Sequence, residues 1–144
     1  MEGDLGVVSN MEQKKLSIMI IDDEAIVGKR LIVALRDSYE VETFVDPKLA
    51  IERLQQREFD IVVTDVRMKD IDGMQILEAV TSKSPHTKVI LITAYATIEV
   101  AQEAIAKGVF DFLAKPFKVS EFLDTIGRAA ATLGASRAQP EPQR

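Results

Sequence analysis

Leu16-Ser17-Ile18-Met19-Ile20-Ile21-Asp22-Asp23 is the stretch on which the fold turns. Its apolar part is too short for a helix and too uniformly apolar for a strand with one wet face, so it reads as a buried strand. Two adjacent acids end it. Ile61-Val62-Val63 is a second such run, and it too closes on an acid, Asp65. Around these runs the period changes. From Ala25 to Arg36, the side chains of Val27, Leu31, Ala34 and Leu35 recur at helical spacing, with Lys29, Arg30 and Arg36 left for water. Tyr39 to Phe44 alternates as a more exposed edge strand would. Asp46-Pro47 then offers an N-cap and a first-turn proline for a helix to about Gln56. Asp72-Gly73 introduces a helix with Met74, Leu77 and Ile76 or Val80 turned inward, and Val89 to Ile92 is the next strand, ending at Thr93. A helix from about Thr97 to Lys107, closed by Gly108, precedes a strand near Phe110 to Leu113 that ends at Lys115-Pro116. The last helix takes its apolar stripe from Phe122, Leu123, Ile126 and Ala130, and Gly127 weakens it.

Five strands in strict alternation with five helices, joined by right-handed crossovers, predict an α/β fold: a doubly wound parallel sheet with helices on both faces. Ligands of such sheets bind beyond the carboxyl ends of the strands. Those ends carry Asp22 and Asp23, Asp65, Thr93 and Lys115.

The chain has 144 residues, 47% of them hydrophobic, enough for one core and one domain. Residues 1–15 and 134–144 are polar and lack periodicity, so both ends are expected to be mobile around a folded unit of residues 16–133. A net charge of −5 argues against direct contact with nucleic acid, which clustered Lys and Arg would hold. The lack of cysteine excludes disulfides and thiolate metal sites and fits a reducing cytoplasm. An acidic N-terminus and the lack of any apolar run near ~20 residues give no reason to expect export or membrane insertion. His86 is the only histidine, so no paired histidine site exists.

Three carboxylates at one rim repel one another; a pair at about 4 Å and an effective dielectric near 20 costs about 4 kcal/mol. A proton or a cation must relieve this. Oxygen ligands without His or Cys suit Mg²⁺, and such an ion beside a lysine and a hydroxyl makes a site for phosphoryl transfer with one carboxylate as nucleophile.

VTDVRMKDIDGMQIL (Val63 to Leu77), ITAY (Ile92 to Tyr95) and FDFLAKPF (Phe110 to Phe117) stand in order with Asp22-Asp23 before them. Together they resemble the receiver domain of bacterial two-component response regulators, over roughly Lys15 to Leu133. The resemblance implies a flavodoxin-like sheet of strand order 2-1-3-4-5 and an aspartyl phosphate formed on Asp65 from a phosphohistidine of a sensor histidine kinase. It implies Mg²⁺ bound by Asp23 directly, by Asp22 largely through water, by Asp65 and by the backbone carbonyl of Arg67. Thr93 is implied to bond a phosphoryl oxygen and move inward, Tyr95 to turn from exposed toward buried, and Lys115 to add positive charge. Lys115-Pro116 resembles a position where the family has a cis peptide. Lys69 departs from the family, which often has proline there, and bears on loop rigidity.

The chain is thus expected to be a stand-alone phosphoacceptor rather than an enzyme, with no chemistry beyond its own phosphorylation and dephosphorylation. Output is expected through a downstream protein partner, and a homodimer is expected on the face made by the fourth helix, fifth strand and fifth helix. Two alternatives stand beside this reading. One is a Mg²⁺-dependent phosphohydrolase with an aspartyl nucleophile; such enzymes usually set two acids one residue apart after the first strand, whereas here they are adjacent. The other is an interaction module of the same fold without phosphorylation.

Overall fold

The computed structural model describes residues 15–138, and side chains as far as residue 134. Its elements run β1 (Ser17–Ile21), α1 (Ala25–Leu35), β2 (Glu40–Phe44), α2 (Pro47–Gln56), β3 (Ile61–Asp65), α3 (Gly73–Lys83), β4 (Lys88–Thr93), α4 (Ile98–Ala106), β5 (Asp111–Ala114) and α5 (Val119–Ala138). All strand pairs are parallel and the order is β2-β1-β3-β4-β5. The expected architecture is therefore the observed one. No helix among the described residues is long and apolar enough to cross a membrane.

Strand periodicity divides the core in two. Ile18 and Ile20 of β1, Ile61 and Val63 of β3, and Ile90 and Ile92 of β4 point to one face, where Leu31 and Leu35 of α1 and Phe122, Ile126 and Ala129 of α5 cover them. Met19, Ile21, Val62, Val89 and Leu91 point to the other, against Ala50 of α2, Met74, Ile76, Leu77 and Val80 of α3, and Ala104 of α4. Every residue of β1 and β3 is buried, while edge strand β2 is not. Truncating a side chain such as Ile20, fully buried between two layers, to alanine costs about 2 to 5 kcal/mol.

Helix starts follow local chemistry. The Asp46 carboxylate accepts from Lys48 N ahead of Pro47, and Asp72 forms a reciprocal capping box with Gln75. Thr97 Oγ1 accepts from Val100 N at the start of α4, and Gly108, at φ 89°, closes that helix in the left-handed conformation that glycine adopts without strain.

The last helix departs from expectation. It continues through Gly134 to Ala138 instead of stopping at residue 133, because the alanine-rich run outweighs about 1 kcal/mol for each glycine. Its inward face is also rotated from the expected one. Thr125, Ala129 and Leu133 are buried with Phe122 and Ile126, whereas Leu123 is exposed and Ala130 only half-buried. Thr125 can go inside because its hydroxyl donates to Glu121 O one turn back, at 3.1 Å. The expectations for residues 1–14 and 139–144 lie outside the described residues.

Candidate functional site

Register builds the site before any side chain is considered. Ile21 pairs with Thr64, Asp65 with Ile92, and Thr93 with Ala114. Asp22, Asp65, Thr93 and Lys115 therefore emerge side by side along the carboxyl rim. Asp22, Asp23 and Asp65 each place a carboxylate oxygen within 4.8 Å of the others; Asp22 and Asp65 are buried and Asp23 is exposed. Lys115 Nζ lies 2.8 Å from Asp22 Oδ2, 3.3 Å from Asp65 Oδ2 and 3.3 Å from Glu24 Oε1. One ammonium thus serves three carboxylates.

The remaining donors are backbone. Asp65 Oδ1 accepts from Val66 N at 2.8 Å, and Asp22 Oδ1 accepts from Glu24 N at 2.9 Å. Asp22 does not serve as the side-chain cap of α1, whose N-cap, Glu24, makes no side-chain capping bond either. Helix capping therefore does not account for the paired acids. Burial lifts the Asp65 carboxyl above its ordinary range and the field of Asp22 adds to this, with Lys115 opposing both. Asp22 is raised in the same way, by burial against the pull of Lys115. For Lys115, burial disfavours the charge, but the hydrogen bond to Asp22 and the fields of Asp22 and Asp65 outweigh it and push the ammonium up to about 12. The lysine stays charged at any physiological pH.

Other expected site residues sit nearby with different partners. Thr93, fully buried, accepts from Tyr95 N at 3.0 Å through Oγ1. Tyr95 is 52% exposed, and the guanidinium of Arg67 lies over its ring, 4.4 Å from the centroid. Among the described residues nothing donates to the Arg67 carbonyl. The Lys115-Pro116 peptide is cis, as the resemblance implied. His86 is an exposed side chain 3.9 Å from Glu58, in the connection leading into β4 at the opposite rim.

Sequence reasoning passed over two contributors. Glu24 is the third carboxylate on Lys115; nothing in its sequence context set it apart from an ordinary helix-entry acid. Gly73 was read only as part of a helix entry, and what it adds is close contact: a Cβ there would collide with the Asp65 carbonyl oxygen. Its N–H donates to Val66 O at 2.8 Å, so the start of α3 rests on the peptide that carries Asp65. A glycine at the first position of a helix, shortly after a strand-end acid, is the readable signal for such an approach.

Hard oxygen donors without a nitrogen or sulfur ligand fit a divalent cation of the Mg²⁺ type. The arrangement holds a partly shielded carboxylate beside a fixed ammonium, with a hydroxyl and a loop carbonyl on the same rim.

Comparisons with known proteins point the same way. The family described as "Response regulator receiver domain" matches residues 18–127. The chain is 32% identical over 122 residues to the transcriptional regulatory protein ZraR of Escherichia coli O157:H7, covering 84% of this chain and 28% of that protein. It therefore spans little more than a quarter of that relative. Among solved structures, the beryllofluoride-activated NtrC4 receiver domain dimer is 32% identical with a TM-score of 0.75, covering 81% of this chain and 97% of the other. The chemotaxis protein CheY4 of Vibrio cholerae is 30% identical with a TM-score of 0.74, covering 80% and 98%. The chain belongs to the response regulator receiver domain family of two-component systems.

Proposed function

We propose that Asp65 is the phosphoacceptor of this chain, taking its phosphoryl group from a phosphohistidine of a sensor histidine kinase. The observation that carries the reading is the shared lysine: Lys115 lies 3.3 Å from Asp65 Oδ2 while Asp22 and Asp23 crowd the same rim. An Asp65 oxygen attacks phosphorus as the P–N bond breaks; the bonding pair stays on the imidazole nitrogen, and the phosphoryl group moves to the carboxylate. Lys115 holds positive charge beside the phosphoryl oxygens, and Thr93 exchanges its bond with Tyr95 N for one to a phosphoryl oxygen. Asp22, Asp23, Asp65 and the Arg67 carbonyl are the groups that would hold Mg²⁺. Bound there, the ion neutralises charge that builds on the transferring group. The chemistry ends with phosphorylation of Asp65 and hydrolysis of the aspartyl phosphate, which releases inorganic phosphate and restores the carboxylate, in the cytoplasm.

Output follows through protein contact on the face formed by α4, β5 and α5, with a downstream partner or a second copy of the chain. That NtrC4 forms an activated receiver dimer supports the second option. The test is intact mass after incubation with a small-molecule phosphodonor, with and without Mg²⁺. A single alkali-labile adduct should form with metal in the wild type and not in Asp65→Asn. An adduct of equal yield in the variant would remove Asp65 from this role.

A further inference from the structure

Arg67 follows Asp65 by two residues, in the loop between β3 and α3, after the strand end where Asp65 joins Asp22 and Asp23. Yet among the described residues its side chain forms no ion pair and no hydrogen bond. Its guanidinium instead lies over the Tyr95 ring, 4.4 Å from the centroid, and Tyr95 stands outward, 52% exposed. Tyr95 also connects the rim to α4. Its N–H donates to Thr93 Oγ1 at 3.0 Å, and its carbonyl accepts from Thr97 N, the N-cap residue of α4, at 3.0 Å. The ring that Arg67 holds is therefore the side chain between the site hydroxyl and the first turn of α4, whose Ile98 and Ile105 are 72% and 71% exposed.

We propose that Arg67 is a latch on Tyr95: its guanidinium holds the ring outward in the resting protein, and a phosphoryl group on Asp65 draws the guanidinium off and frees the ring. The proposal rests on Asp65 being the phosphoacceptor. An exposed cation–π contact is a weak bond, whereas a guanidinium meets phosphoryl oxygens through paired, charge-assisted hydrogen bonds. The exchange is therefore downhill once the phosphoryl group is present. A planar fork matters as well as charge, so lysine at this position is a partial replacement. Arg67 acts here as a positioning residue, by its hold on Tyr95.

The test uses NMR on the full chain with ¹³C-labelled arginine and tyrosine, while intact mass follows Asp65. In the resting wild type the Arg67 side-chain protons should be shifted upfield by the Tyr95 ring current. Phosphodonor with Mg²⁺ should erase that shift in the wild type and leave it in Asp65→Asn. Resting Arg67→Gln should move the Tyr95 ring resonances along the line joining the resting and phosphorylated wild-type positions, by about two- to fivefold in population ratio, and Arg67→Lys less far. Tyr39, packed in the core on the α1 and α5 face, is the internal reference. The latch is overturned if the ring-current shift is missing at rest, or persists when mass shows Asp65 loaded. Tyr95 resonances that stay put or leave that line in Arg67→Gln overturn it too. If no adduct forms on any protein, the phosphoacceptor reading fails and takes the release step with it.

Discussion

Asp60 and Asp65 flank the same short strand, β3, and their partners differ in kind. Asp60 Oδ2 accepts from Ser17 N at 2.8 Å and from Ser17 Oγ at 3.2 Å, and the same hydroxyl accepts from Asp60 N at 3.1 Å. These bonds tie β1 to β3 at the amino rim. Asp65 has one backbone donor, Val66 N, and shares its other oxygen's lysine with Asp22 and Glu24. A strand-end acid becomes a structural tie when local main-chain and hydroxyl donors satisfy it. It becomes a site when several acids compete for one cation. Burial and position mark the same difference: Asp60 is half-buried just before β3 at the amino rim, and Asp65 is buried at its carboxyl end.

Replacing each acid in turn is the sharpest way to break this contrast. Asp65→Asn should reduce phosphoryl uptake to background by mass. In the metal-free protein it should also raise the urea midpoint, because it removes a charge that burial disfavours. Asp60→Ala should leave uptake intact. A normal adduct in Asp65→Asn, or none in Asp60→Ala, would erase the distinction.

Gly73→Ala tests how closely the Asp65 peptide is held. Its Cβ would meet backbone, which cannot swing aside, so urea unfolding should show a loss of roughly 1 to 3 kcal/mol. Unchanged stability would mean that α3 is free to shift away. For Asp60→Ala itself, leaving the Ser17 donors without their carboxylate should cost about 1 to 2 kcal/mol by the same measurement.

The smallest effect concerns a third acid, shifted the opposite way from Asp65. The hydrogen bonds and charge of Arg53 hold Glu42 below the ordinary carboxylate range despite its partial burial. Its folded value is depressed, so its contribution is complete above the ordinary carboxylate value and disappears as pH falls through the depressed one. The pair is largely at the surface, so Glu42→Gln should flatten the acid limb of the stability profile by about 0.2 to 1 kcal/mol. An unchanged limb would show that the pair contributes nothing measurable.

Much of this was readable in the chain. The two apolar runs ending on acids gave the strand ends, and register then required Asp22, Asp65, Thr93 and Lys115 to share a rim. What escaped depended on directions rather than spacing. Thr125 reads as polar until its hydroxyl is seen to donate one turn back, which is why the inward face of α5 was misplaced. Glu24 reads as a helix-entry acid until Lys115 arrives from the far edge of the sheet, 91 residues later. The stacking of Arg67 on Tyr95 likewise joins two loops whose approach no local pattern records.

The three-way sharing of Lys115 also bears on how the site would drift under random mutation. Losing Glu24 leaves the ammonium two anions that are shielded from water, so the lysine hardly moves and a survey of single substitutions would score Glu24 as silent. Only after Asp22 has been compromised would its presence matter. Redundancy of this sort conceals a contributor from one-at-a-time inspection and lets neighbouring lineages discard it without immediate penalty.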